Sequence, residues 1–305
     1  MPRTALTVLA AVILVAGTAA RAQGPQVTPN TRTMDTRAIL LGTGTPNPEP
    51  DHSGPSVAIV SGDQVYLVDA GPGLVRRAVQ AGLTMPQLTR VFITHLHSDH
   101  TAGYPDLIFT TAVTGRLIPL EVYGPPGIRS MTSHIMAAWK EDMDVRLHGG
   151  EPAIAQAYIV HPHEVKPGEI YRDGAMRVVA IPVPHGAWKY AFAYRFEAKD
   201  KTIVVSGDTT YSQALIDAAK GCDILIHEVY SQAGWEKRTP DWQKYHKASH
   251  TSGPDLGKVA AQVKPKKLVL YHLLPMGQTP EEVIGEVRQN FDGQIIYGKD
   301  LDVIR

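Results

Sequence analysis

The sequence predicts an α/β protein that carries its chemistry at strand ends, and three observations support this. Short apolar runs rich in Val and Ile alternate with helix-length segments, as in a sheet flanked by helices. The strands of the two halves suggest two similar layers. Strand after strand ends in a residue able to hold a metal: His95 and His97, His185, Asp208, His272. Each of these has an ordinary explanation alone, but scattered surface histidines have no reason to repeat that position.

The chain has 305 residues, 43% of them hydrophobic, which is ample for one large domain. Arg3, an apolar run over 5–16 and Ala20-Arg21-Ala22 before Gln23 mark residues 1–22 as a secretory signal peptide. The run is too short to span a bilayer, so no membrane anchor is expected after cleavage. A periplasmic or secreted location follows. Residues 23–36 are polar, with Pro25 and Pro29, and read as a flexible lead-in to a domain over 37–305. Losing 1–22 removes Arg3 and Arg21 and no acid, so 30 bases fall to 28 against 30 acids, a net charge of about −2. That is a poor footprint for nucleic acid. Cys222 is the single cysteine, so no internal disulfide can form, and it reads as a buried apolar residue.

Residues 37–41 read as the first strand. Gly42-Thr43-Gly44-Thr45-Pro46 after it lacks both the Lys-Ser/Thr of a phosphate loop and the third glycine of a dinucleotide fingerprint. Residues 56–60 and 64–68 form a hairpin ending at Asp69. That carboxylate either holds a ligand histidine or serves as a turn or cap acid. A helix over 74–81 follows. The strand 91–93 runs into Thr94-His95-Leu96-His97-Ser98-Asp99-His100, three imidazoles and a carboxylate on one tight turn. Such donors suit zinc and similar borderline metals, and crowding them is costly unless a cation holds them together.

Helices are expected over 104–111 and 128–140, with a strand at 120–123. Residues 141–157 lack periodicity and read as a lid or a surface insertion. Strands follow near 157–160 and 176–180. His161 and His163 alternate at a strand end with no acidic ligand in view, so they read as structural. Strands at 190–196 and 201–205 lead to Asp208, and a helix covers 213–220. A strand at 224–226 ends at His227-Glu228. A polar stretch with Trp235, Trp242 and Tyr245 reaches His250. A helix at 256–263, a strand at 267–270 ending at His272 and a helix at 279–290 complete the chain.

The chain resembles the metallo-β-lactamase superfamily over essentially its whole mature length. The carrying motif is H-x-H-x-D-H, read here as His95, His97, Asp99 and His100. Within the superfamily it looks most like the ribonuclease Z and arylsulfatase-type branch, through Leu41-Gly42-Thr43-Gly44-Thr45-Pro46, Tyr123-Gly124-Pro125-Pro126-Gly127, Ser206-Gly207-Asp208-Thr209 and His250-Thr251-Ser252. The resemblance implies an αββα sandwich, two mixed β-sheets face to face with helices outside. It implies two zinc ions, with Mn²⁺ or Fe also acceptable to such a set. His95, His97 and His185 would hold the first; Asp99, His100 and His272 the second; Asp208 and a water or hydroxide would bridge them. Glu228 and His250 match an acid pair that assists the leaving group and, with Asp99, make up the catalytic set.

These readings combine into an exported dinuclear zinc hydrolase of a small phosphodiester or sulfate ester. The partner expected is that small ester, with no nucleic acid, and a homodimer is possible. The tRNA-clamping arm of the ribonuclease branch commonly lies between the third histidine and the bridging aspartate. Here only a tight strand pair separates His185 from Asp208. A β-lactam, lactone or carboxylic ester hydrolase is one alternative; a non-catalytic metal-binding module is another. Trp139, Trp188, Trp235 and Trp242 are either an aromatic rim or packing.

Overall fold

The computed structural model describes Met1 and residues 35–305. The signal peptide over 1–22 and most of the lead-in over 23–36 lie outside the described residues. Among the described residues fourteen strands are formed: β1 (Arg37–Gly42), β2 (Ser56–Ser61), β3 (Gln64–Val68), β4 (Arg90–Phe92), β5 (Leu120–Gly124), β6 (Val160–Glu164), β7 (Gly168–Arg172), β8 (Met176–Pro182), β9 (Phe192–Ala198), β10 (Thr202–Val205), β11 (Ile224–Tyr230), β12 (Lys267–Leu274), β13 (Ile295–Tyr297) and β14 (Val303–Ile304). Ten α-helices among the same residues join them: α1 (Leu74–Gln80), α2 (Ser98–Thr101), α3 (Tyr104–Thr114), α4 (Ile128–Ala138), α5 (Lys140–His148), α6 (Gln213–Ala219), α7 (Gln232–Trp235), α8 (Pro240–Ser249), α9 (Gly253–Val263) and α10 (Pro280–Arg288).

The strands make two seven-stranded sheets, ordered β14-β1-β2-β3-β4-β5-β6 and β13-β12-β11-β10-β9-β8-β7. In the first, β14 to β3 pair antiparallel and β3 to β6 parallel. In the second, β7 to β10 pair antiparallel and β10 to β13 parallel. Each sheet therefore repeats the other's plan, and both are mixed. This is the αββα sandwich of two mixed sheets that the resemblance implies.

Period-two alternation builds the layers. In β1, Ala38 and Leu40 face the other sheet, while Ile39 and Leu41 face the helices outside. The inter-sheet core gathers around Phe92, whose ring meets Tyr123, Tyr171, Tyr194 and Phe196 at 5.0–5.8 Å. Truncating such a ring costs about 3–5 kcal/mol. The outer cores lie under α1 and α3 on one side and under α6, α9 and α10 on the other.

Several elements differ from the sequence reading. Residues 141–157 hold α5 and a short 3₁₀ turn, Ala155–Tyr158, and do not line the cavity over the site described below. Helix α5 fully buries no side chain and sets only Met143 and Leu147 against the outer core, a stripe too short to read; Lys140–Asp144 and Asp142–Arg146 pairs support it. The strand placed near 157–160 is β6, which begins at Val160, and β7, β13 and β14 were not foreseen. The polar stretch before His250 contains α7 and α8; Thr239-Pro240-Asp241 is a start signal that could have located α8. Strand β11 runs on through His227 and Glu228 to Tyr230, and β12 through His272 to Leu274.

Candidate metal centre

Strand β4 ends at Phe92, and Thr94 to His100 turn into α2. Asp69, at the end of β3 with φ 59°, fixes this turn. Its carboxylate accepts from the Thr94 N–H at 2.7 Å and from the Thr94 hydroxyl at 2.9 Å. Oδ2, the oxygen that takes that hydroxyl, also lies 2.8 Å from Nδ1 of His100. An Nδ1–H donated there leaves Nε2 of His100 with its lone pair facing inward. Asp69 thus meets both the backbone of the turn and a histidine of the site.

The remaining donors come from the second sheet. His185 follows β8, and its Nδ1 lies 2.6 Å from the Ser249 carbonyl, which aims Nε2 inward. Asp208 follows β10. His272 sits inside β12, where the pairing jumps from His227–Leu270 to Val229–Leu273. This is a bulge, and His272 has φ 44°. Bulges re-aim side chains, and this one turns an imidazole into the site.

Two donor sets result, each with ligand atoms within 4.8 Å of one another: His95, His97, His185 and Asp208, and Asp99, His100 and His272. In the first, Nδ1 of His97 lies 2.9 Å from Nε2 of His95 and 3.2 Å from Nε2 of His185. In the second, Oδ2 of Asp99 lies 3.2 Å from Nε2 of His272 and 3.5 Å from Nε2 of His100. Asp208 reaches both: Oδ2 is 3.8 Å from Nε2 of His185, and Oδ1 is 3.4 Å from Nε2 of His100. Tetrahedral bonds of about 2.0–2.1 Å put ligand atoms about 3.3 Å apart, so the spacing fits zinc-like ions. Nε2 of His100 and Oδ1 of Asp208 are buried without a hydrogen-bond partner, which a cation between them would satisfy.

Protonation agrees. Burial holds His95 and His185 below the ordinary histidine value and pushes His97 down to about 4. Neutral imidazole is the ligating form. Burial alone would raise Asp208, but the imidazoles of His272 and His100 hold it well below the carboxylate range. Trp188 donates its Nε1–H to Nε2 of His97 at 2.8 Å. Ligation through Nδ1 would place a proton on that Nε2, so the bond must then be given up.

His250 caps the C-terminus of α8, with Nδ1 3.4 Å from Oε2 of Glu228 and 3.8 Å from Oδ2 of Asp208. Glu228 is fully buried; its Oε1 accepts from the Thr251 N–H at 2.9 Å and the Thr209 N–H at 3.3 Å. Burial opposes charge on His250, but Glu228 and then Asp208 raise it above the ordinary value, favouring imidazolium. The structure thus brings together all the residues singled out for the site. It leaves His161 and His163 apart, at the exposed edge of the first sheet. There Glu121, in register across β5 and β6, lies 2.7 Å from both rings, an acidic neighbour that sequence distance concealed. Trp242 lines the cavity over the centre, about 700 Å³, and Trp188 adjoins it. Trp139 instead packs on Phe109, and Trp235 donates to the Gln243 carbonyl. Sequence reasoning missed Arg238 on the cavity wall.

A mixed αββα sandwich with such a centre defines a metal-dependent hydrolase, and the chain belongs to the metallo-β-lactamase superfamily: residues 64–273 match the β-lactamase superfamily domain. Ribonuclease Z of Mycobacterium bovis is 32% identical over 273 residues, 86% of this chain and 95% of its own. The Mycobacterium marinum ribonuclease Z is 32% identical over 271 residues, with the same coverage. A metallo-β-lactamase fold protein from Bacillus subtilis superposes with a TM-score of 0.70 at 18% identity, over 88% of this chain and 98% of its own. Human tRNase Z, short form, does so at 0.67 and 22%, with the same coverage.

These relatives correct three expectations. They are ribonucleases by name, which overturns the small phosphodiester or sulfate ester as substrate. It also overturns the expectation of no nucleic-acid partner. The segment between His185 and Asp208 is indeed a short antiparallel pair, β9 and β10, but its brevity does not set the chain apart from relatives matched along 86% of its length. Net charge was a poor guide because it averages the whole surface, whereas recognition is local. The periplasmic or secreted location falls as well. It rested only on residues outside those described, and kinship to ribonucleases gives it no support. Among the described residues, no helix is long and apolar enough to cross a membrane.

Proposed function

We propose that this chain hydrolyses phosphodiester bonds of RNA, as its ribonuclease Z relatives are named for doing. The observation that carries the reading is Asp208, shared between two donor sets with His250 and Glu228 alongside. In this reading His95, His97 and His185 would hold one ion, Asp99, His100 and His272 another, with Asp208 between; zinc suits the donors best. When bound, such ions would supply Lewis-acid stabilisation of phosphoryl charge and lower the pKa of water.

The chain's own residues do the rest. Asp69 and the Ser249 carbonyl fix the tautomers of His100 and His185. Glu228 holds His250 charged and oriented, so that its imidazolium donates to the departing oxygen. The test is elemental analysis together with cleavage of a tRNA carrying an extended 3′ end, with and without chelator. Two ions per chain and chelator-sensitive cleavage are expected. A metal-loaded protein that leaves the RNA intact would refute the proposal.

A further inference from the structure

Three exposed side chains beside the centre have no part in the chemistry above. Trp242 and Tyr245 stand three residues apart on α8, 49% and 42% exposed, while His246 and Ser249 of the same helix are buried. Both rings line the cavity that holds His97, Asp99 and His272. They meet edge to face, centroids 5.7 Å apart at 85°, and the Tyr245 ring lies 6.1 Å from that of His250. Arg238 lines the same cavity, its guanidinium 5.6 Å from the Trp242 centroid, and makes no ion pair among the described residues. Two half-exposed rings set at right angles, and over one of them a planar cation that pairs with no carboxylate, at the mouth of an acid- and imidazole-lined cavity are the elements of a single-strand platform. Bases stack on aromatic rings whatever their sequence, and the guanidinium fork matches a phosphate.

Resting on the RNA reading above, we infer that Trp242, flanked by Tyr245 and Arg238, is the ring on which a nucleobase of the cleaved strand stacks. Tyr245 adjoins His250, the group placed to serve the departing oxygen. The platform therefore takes the nucleotide that carries the leaving oxygen, and its energy goes into holding the strand.

The test compares W242A, W242F, Y245A and R238A with the wild type, all metal-loaded. KM and kcat are measured on the extended tRNA. Binding of a short single-stranded RNA and of its abasic counterpart is measured by filter retention. A base stack is worth a factor of about 5–150. W242A should raise KM by that factor, with the loss falling on KM rather than kcat. W242F should restore most of it, and wild type and W242A should bind the abasic strand alike. RNA cleaved with unaltered constants by both W242A and Y245A would overturn the platform alone. Equal loss of binding to the base-bearing and abasic strands in W242A would do the same. A wild type that leaves RNA intact while turning over bis(p-nitrophenyl) phosphate in a chelator-sensitive way would overturn the RNA reading and the platform with it.

Discussion

Replacing Asp69 by asparagine keeps the shape of the side chain and changes one atom's role. In the native chain one oxygen accepts from the Thr94 N–H at 2.7 Å, and the other lies 2.8 Å from Nδ1 of His100. In Asp69→Asn the amide oxygen can still serve Thr94. The NH₂ group then faces Nδ1, which can only accept, so the ring proton moves to Nε2. That is the atom 3.4 Å from Oδ1 of Asp208 and 3.5 Å from Oδ2 of Asp99, the one needed for the second donor set. Flipping the amide restores His100 but sets donor against donor at Thr94. Losing such a partner typically weakens metal affinity 10- to 100-fold, about 1.4–2.7 kcal/mol. Competition against a chromophoric chelator would measure it, with ion content by elemental analysis and the metal-free Tm as a control for folding. One of two ions should be released at lower chelator concentration. Unchanged affinity for both ions in a folded D69N protein would refute the tautomer argument.

Four other outcomes are expected. His250→Ala should lower kcat on RNA by about 10²–10⁴-fold, with a much smaller loss on bis(p-nitrophenyl) phosphate, whose leaving group departs without a proton; equal losses would remove the proton-donor role. Burial pushes the Cys222 thiol up from 9.0 to about 12. A raised thiol pKa favours the fold below pH 9, and that preference is lost as pH climbs towards 12. Iodoacetamide at pH 9 should therefore spare the native protein and label it only in denaturant, as mass spectrometry would show. Gly207 has φ 57°, and a Cβ there would stand 2.8 Å from that of Thr94, so Gly207→Ala should cost about 2–5 kcal/mol, seen as a lower Tm in thermal unfolding. Trp188→Phe removes a hydrogen bond that ligation must break, so metal affinity should rise about 2- to 13-fold in the same chelator competition; a fall would show Trp188 supporting the centre.

How far the sequence could be read depended on the range of the interaction. The His95–His100 turn was legible because its donors are adjacent, and the strands carrying His185 and Asp208 because they are apolar and short. Helix α5 was not, because only Met143 and Leu147 pack inward from it, too few for a periodic apolar stripe. The bulge at His272 was hidden because no glycine or proline marks it; it arises from the pairing of β11 with β12, which a single strand cannot show. The His161–Glu121–His163 cluster depended on register between β5 and β6, forty residues apart in sequence. Substrate was misjudged for a related reason: whole-chain charge stood in for a local surface.

Both donor sets are composite. His95, His97, Asp99 and His100 hang from the first sheet, whereas His185, Asp208 and His272 hang from the second. Neither set exists until the two sheets close on each other. Ion binding and sheet docking are thus one equilibrium, and each drives the other by mass action. Free ion at a hundred times its dissociation constant would add about 2.7 kcal/mol per site in favour of the closed sandwich. Starved of ions, the protein would lose cohesion along with its chemistry, opening first along the seam where seven donors, five of them buried, face one another with nothing to bind.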